Sequence, residues 1–273
     1  MSEIESAGTP AGPIAYVRRG AGEPLLLIHG VSGHHGMWGE SFLAAVAERF
    51  DVVAFDHRGI GRSWRVAEEF TVADLAGDAV ALLDHLGWES AHVLGASMGG
   101  AVAQELALAH PSRVRRLVLG CTWAGADALE ETFGEHAPNF MASATCGQRR
   151  LALDLMVEAN LSPGFSAGPG RYEEFAAAAV SVRVPGPVTV WQMQAAQAHD
   201  ARDRLGALTA PTLVLHGTGD TVVRPGAGER LASLLPDASL ERYDGAGHLF
   251  FWEQPERAAA AVVAHLLGRP SQI

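Results

Sequence analysis

Short apolar runs alternate with longer amphipathic stretches along the chain. Leu25-Leu26-Leu27-Ile28 is bounded by Pro24 and His29-Gly30. Val52-Val53-Ala54-Phe55, His92-Val93-Leu94, Leu117-Val118-Leu119 and Leu213-Val214-Leu215 follow. Runs this short and continuous predict strands buried on both faces, as in a parallel sheet. A further strand is expected at 239–243, ahead of Gly245. Between strands the pattern turns helical. Val72, Leu75, Ala76, Ala79, Leu82, Leu83 and Leu86 share one helical face. Thr71 with Asp74 makes a variant capping box, and Gly87 is a natural stop. Residues 98–109, small and closed by Pro111, and 255–267, opened by Pro255, predict two more helices.

Strand–helix alternation of this kind builds βαβ units on a parallel sheet. It breaks between about 123 and 205, where Ala-, Met- and Leu-rich helical segments, a Gly/Pro stretch at 162–170 and Val184-Pro185-Gly186-Pro187 replace the strand runs. The expected fold class is therefore α/β: a mostly parallel sheet flanked by helices, with 1–122 and 206–273 forming the core and 123–205 a helical cap. There is no internal repeat.

Composition sharpens this picture. The chain has 273 residues, 48% apolar and 19% charged, enough for one large core rather than a disordered or fibrous chain. The net charge is −11 and the arginines are scattered, so no nucleic-acid partner is expected. No apolar stretch approaches the ~18 residues of a membrane span. Residues 1–13 lack the basic-then-apolar order of an export signal. Two cysteines, Cys121 and Cys146, form no C-x-x-C pair, so a reducing cytoplasm is the expected location. The expected partner is a small molecule.

The strongest chemical signal is Gly95-Ala96-Ser97-Met98-Gly99-Gly100, between a predicted strand and a predicted helix. A serine on so sharp a turn needs tiny residues two before and two after it, and Gly95 and Gly99 meet that need. A hydroxyl is a weak nucleophile without a base. His248, in Asp244-Gly245-Ala246-Gly247-His248, follows the last predicted strand and can reach back over the carboxyl edge of the sheet. Asp220, in His216-Gly217-Thr218-Gly219-Asp220, can turn inward there to orient the imidazole. No acidic residue follows the strand that ends near Cys121. Asp200 and Asp203 read as surface charges. The oxyanion needs backbone donors: Met98, next to the nucleophile, and Val31, in the loop after the Leu25 run. His29 reads as a loop brace, and so do His57 and Arg58. The histidines show no H-E-x-x-H or H-x-x-E-H spacing, so no metal site is expected.

His34, His35 and Trp38 either line the substrate pocket or cap a helix. Trp123, Trp191 and Leu249 are further pocket candidates, with core packing as the alternative for the tryptophans. Phe250, Phe251 and Trp252 read as core.

In order along the chain, His29-Gly30, Asp56-His57-Arg58-Gly59-Ile60-Gly61-Arg62-Ser63, the serine turn, His216-Gly217-Thr218-Gly219-Asp220 and Gly247-His248 resemble the landmarks of the α/β-hydrolase superfamily. The resemblance runs from about residue 14 to 267. Within it, the serine turn with Ala103-Gln104-Glu105-Leu106-Ala107 resembles the 3-oxoadipate enol-lactonase and small carboxylesterase branch, and also the cofactor-free haloperoxidases. It implies a Ser97–Asp220–His248 triad without metal or organic cofactor, acting on an ester or lactone. Ser97 stands where dehalogenases and epoxide hydrolases carry Asp. Ala96 and the Val31-Ser32-Gly33-His34-His35-Gly36 loop depart from the carbon–carbon bond hydrolases. The alternatives are haloperoxidase or perhydrolase chemistry or carbon–carbon cleavage with the same triad, and a non-catalytic ligand-binding protein.

Overall fold

The computed structural model describes residues 3–125, 135, 142 and 147–269. The five predicted apolar runs and the further strand expected at 239–243 are all strands. They are β3 (Glu23–Ile28), β4 (Phe50–Phe55), β5 (Ala91–Ala96), β6 (Val114–Gly120), β7 (Thr212–Gly217) and β8 (Ala238–Tyr243). Two strands precede them, β1 (Glu5–Gly8) and β2 (Pro13–Arg19). The eight form one sheet in the order β1-β2-β4-β3-β5-β6-β7-β8. β1 and β2 join antiparallel, and all pairs from β4 to β8 are parallel.

Alternation along each strand splits the core into two layers. Leu26, Ile28, Val53 and Phe55 face one side and Leu25, Leu27, Val52 and Ala54 the other, as a two-residue period requires. α1 (Glu40–Ala47) covers the second layer with Phe42 and Val46. α2 (Val72–His85) and α3 (Met98–Ala109) cover the first with Leu75, Leu82, Val102 and Leu106. The expected capping box opens α2: Thr71 Oγ1 accepts from Asp74 N at 3.1 Å, and Asp74 Oδ2 accepts from Thr71 N at 2.8 Å. Gly87 ends it at φ 68°.

Between β6 and β7 the described chain forms α4 (Arg149–Asn160), α5 (Pro163–Ser166), α6 (Arg171–Ala179) and α7 (Gly186–Ala198). Then come α8 (Pro225–Leu234), α9 (Phe250–Glu253) and α10 (Pro255–Leu266). Cys146 lies outside the described residues. No described helix is long and apolar enough to cross a membrane.

The sheet order positions the site. β3 lies between β4 and β5, so the chain leaves β3 toward one side and returns on the other. That reversal opens a crevice beyond the strands' carboxyl ends. Ile28 pairs with Gly95 at its mouth.

Candidate active site

Ser97 joins β5 to α3 at φ 57°, ψ −126°. This is a strained conformation for a residue with a Cβ and costs roughly 1–3 kcal/mol. Burying one or two leucines of the adjoining strands, at about 2 kcal/mol each, offsets it. The turn closes because Gly95 and Gly99 lack side chains: a Cβ on Gly95 would strike the carbonyl of Gly99, and one on Gly99 the carbonyl of Ile28. The Ser97 backbone is pinned. Its N–H donates to Gly120 O at 2.9 Å, and its carbonyl accepts from Thr122 Oγ1 at 2.8 Å and Gly100 N at 2.8 Å. The half-buried Oγ makes no hydrogen bond within the described residues.

Asp220 and His248 meet at the same edge. His248 Nδ1 lies 2.7 Å from Asp220 Oδ2, and both side chains are buried. The other carboxylate oxygen accepts from Val222 N and Val223 N, each at 2.9 Å. A second histidine shares Oδ2: His216 Nε2 sits 3.2 Å from it and 3.0 Å from Val223 O. Burial pushes the Asp220 carboxyl up, but His248 and His216 outweigh it and hold the group well below the ordinary carboxylate range. The His248 loop is fastened by Glu253, whose carboxylate accepts from Gly247 N at 2.9 Å, Ser162 N at 2.7 Å and Ser162 Oγ at 2.5 Å. Leu249 N donates to Asn160 O at 2.9 Å. Cys121 takes the position after β6 at φ 43°. Its buried thiol is pushed well up, by desolvation first and by the neighbouring Asp220 charge second.

The loop after β3 forms a turn in which Gly33 N donates to Gly30 O at 3.0 Å. Gly30 packs against the serine turn: a Cβ there would come within 2.7 Å of Ser97 Cβ. His29 braces the loop. Its Nδ1 accepts from Gly30 N at 2.8 Å and its Nε2 faces Met37 O at 3.2 Å. Burial lowers its pKa to about 3, so the ring is neutral. His57 Nε2 reaches His29 O at 2.8 Å, and Arg58 grips Asp78 at 2.7 and 2.9 Å. The N–H groups of Val31 and Met98 donate to no described group.

A cavity of about 160 Å³ opens beside this loop. Val31, Ser32 and Leu249 line it from the core loops, and Met156, Asn160 and Thr189 from α4 and α7. Of the six pocket candidates read from sequence, Leu249 lines the cavity and the other five lie outside its lining. His34 Nδ1 accepts from Gly36 N at 3.2 Å, capping a short 3-10 turn. His35 Nδ1 binds Asp56 Oδ1 at 2.8 Å. Trp38 packs against His29, Phe42 and Phe251. Trp123 is buried in the first core layer, and Trp191 meets Phe70 edge-on. Asp200 pairs with Arg202 at the surface.

His34, His35 and Asp56 each offer one donor atom within 4.8 Å of the others, close enough for a metal ion. Their present bonds, His35 to Asp56 and Gly36 to His34, instead tie the loop after β3 to the end of β4. Sequence reasoning missed His216 as a second partner of Asp220, Glu253 as the anchor of the His248 loop, and the contacts of Thr189 and Gln192 with Ser32. The available signal was polar residues three apart on an otherwise apolar helix face, Thr189 and Gln192 beside Val188, Met193 and Ala196.

Comparison with known proteins bears on the fold that carries these residues. A family model described as alpha/beta hydrolase fold matches residues 23–255. A 2-hydroxymuconate semialdehyde hydrolase from Pseudomonas sp. (strain CF600) is 34% identical over 252 residues, covering 88% of this chain and 84% of its own. A RutD protein of Azorhizobium caulinodans, provisionally named a carbamate hydrolase, is 33% identical over 243 residues, covering 88% and 90%. A thermophilic esterase from Thermogutta terrifontis superposes with a TM-score of 0.82 at 28% identity, covering 98% of this chain and 99% of that one. With a strained serine between strand and helix, an Asp–His pair from the last two strands and a family match over most of its length, the chain belongs to the alpha/beta hydrolase family.

Proposed function

We propose that the protein is a serine hydrolase that cleaves a carboxylic ester or lactone of a small molecule by acyl transfer. The observation that carries this is the 2.7 Å contact between Asp220 Oδ2 and His248 Nδ1 on the edge that presents Ser97. Donation from Nδ1 to the carboxylate leaves Nε2 as the basic nitrogen. That nitrogen takes the Ser97 proton as the hydroxyl attacks the carbonyl, and returns it to the leaving alcohol. Water, deprotonated by the same ring, then attacks the acyl-enzyme and releases the acid with Ser97 restored. Val31 and Met98 N–H hold the oxyanion in both steps. Asp220 keeps the tautomer and stabilises the imidazolium. The helices between β6 and β7 act as a cap, and the acyl group is assigned to the cavity that Met156, Asn160 and Thr189 share with Val31 and Leu249, the residues beside Gly30 and His248. The cytoplasm is the proposed location; Cys121, the described cysteine, is a free buried thiol.

Carbon–carbon bond hydrolysis is the second reading, favoured by the relative named a 2-hydroxymuconate semialdehyde hydrolase. A fluorophosphonate probe should label Ser97, and Ser97→Ala should lose both label and turnover. Labelling of another residue, or full turnover in the variant, overturns the assignment. A panel of aryl esters, lactones, aryl carbamates and a ring-cleavage dienone, run with and without peroxide and bromide, separates the reactions. The expected first rank is an ester or lactone.

A further inference from the structure

The turn after β3 has one residue out of keeping with its backbone. Gly33 N bonds Gly30 O, so Ser32 occupies the third position of a four-residue turn, and its φ is 58°. Glycine takes that position readily, while a residue with a Cβ relaxes to negative φ and turns the 31–32 peptide over. Two side chains of α7 oppose that relaxation. Gln192 Oε1 accepts from Ser32 N at 2.8 Å, and Thr189 Oγ1 lies 2.7 Å from Ser32 Oγ. They sit three residues apart, on one helix face.

Gln192 is fully buried, and its Nε2 has no hydrogen-bond partner. Its neighbours Val188, Met193, Ala195 and Ala196 are buried too. An apolar side chain of similar shape would pack at 192 without stranding an amide, so packing alone does not account for a glutamine there. What the glutamine adds is an acceptor for the central peptide of the oxyanion turn. The Val31 N–H belongs to the preceding 30–31 peptide and has no described partner, and Val31 lines the cavity. The Gln192 bond fixes the peptide that follows it, so that the Val31 carbonyl stays turned away from Gln192 and the turn keeps its shape around that N–H.

We infer that Gln192 and Thr189 are positioning residues of the cap that hold the turn after β3 in its donating conformation, so that the oxyanion site is complete only with α7 docked. This rests on the proposed serine-hydrolase function. The two residues touch the loop and not the reacting atoms. Their effect therefore falls on the tetrahedral state more than on substrate binding.

The test pairs two inhibitors of matched shape. A trifluoromethyl ketone is attacked by Ser97 to give a hemiketal oxyanion. Its carbinol fills the same pocket without forming one. In Gln192→Met we expect kcat to fall about 10-fold or more, below the 10²–10³ typical of deleting an oxyanion donor outright. KM should stay within about twofold, as expected when only transition-state binding is lost. Affinity for the ketone should fall in step with kcat while the carbinol is unaffected. Gln192→Leu, which also lacks the acceptor, should move the same quantities alike, and it decides the matter if Gln192→Met does not fold. Equal losses for ketone and carbinol, or no loss for either in the folded variants, overturn the inference and leave the Ser97 assignment standing. A wild-type enzyme that binds both inhibitors alike overturns the nucleophile assignment, and the inference with it.

Discussion

Two sets of loops on one sheet edge are held in different ways. On the side after β7 and β8 the carboxylate is fastened from within the core, while the His248 loop also meets Asn160 and Ser162 of the segment between β6 and β7. Asp220 is clasped by the amides of Val222 and Val223 and by His216, and the His248 loop by Glu253 of α9. The loop after β3, proposed to hold the oxyanion, is braced from below by His29 and His57, but its tip at Ser32 is held by Gln192 and Thr189 of α7. The Asp220 carboxylate is thus held by core groups alone, while the tip of the turn proposed to hold the oxyanion is held from α7.

The comparison breaks most sharply at Asp220. In Asp220→Asn an amide NH2 replaces the Oδ2 that faces His248, which favours the tautomer with its proton on Nε2. We expect kcat to fall by roughly 10⁴-fold with little change in KM, measured on the best aryl ester. A fall below tenfold would show that the core side is not what aligns the base. A smaller effect is expected at Glu253→Gln. The amide retains one acceptor for three donors now shared by two carboxylate oxygens. The His248 loop loosens, and kcat should drop on the order of 10- to 100-fold, as a base displaced by about 1 Å would produce. An unchanged kcat would place the anchoring elsewhere.

The smallest effect separates bracing from catalysis. Burial lowers the His34 pKa to about 4, with Asp56 opposing. Its unfolded value is about 6.5, so the unfolded chain binds the extra proton first as pH falls. Stability from the neutral ring is complete above pH 6.5 and is lost progressively toward pH 4. The loss is about 2 kcal/mol at pH 5. Asn in place of His34 keeps a cap acceptor for Gly36 without titrating. His34→Asn should therefore show a shallower drop in Tm between pH 7 and pH 5 than the wild type, at near-normal kcat. An identical drop would remove His34 from the acid response.

The core was legible because its strands are buried on both faces and appear as unbroken apolar runs. β1 was not: Glu5-Ser6-Ala7-Gly8 buries only Ala7, and it is held by its backbone ladder to β2. The Ser97 turn, Asp220 and His248 were legible because each follows a strand of the same parallel set, which fixes the edge on which they emerge. The tip of the oxyanion turn was not. Ser32 at positive φ is imposed by partners some 160 positions away, and nothing local to Val31-Ser32-Gly33 encodes it. The tryptophans read as pocket candidates, Trp38, Trp123 and Trp191, were indistinguishable in sequence from core tryptophans. Their aromatic and apolar surroundings in the fold decided where they lie.

The order in which the strands are synthesised differs from the order in which they meet. Ser97 and its strand can emerge from a ribosome well before β7 and β8 are made, since β5 pairs with β3 and β6 alone. The serine turn can therefore form on a nascent chain that still lacks Asp220 and His248. Under the proposed assignment, that chain carries an alcohol with no base beside it, and the cell meets a reactive nucleophile only after position 248 has been translated and folded back.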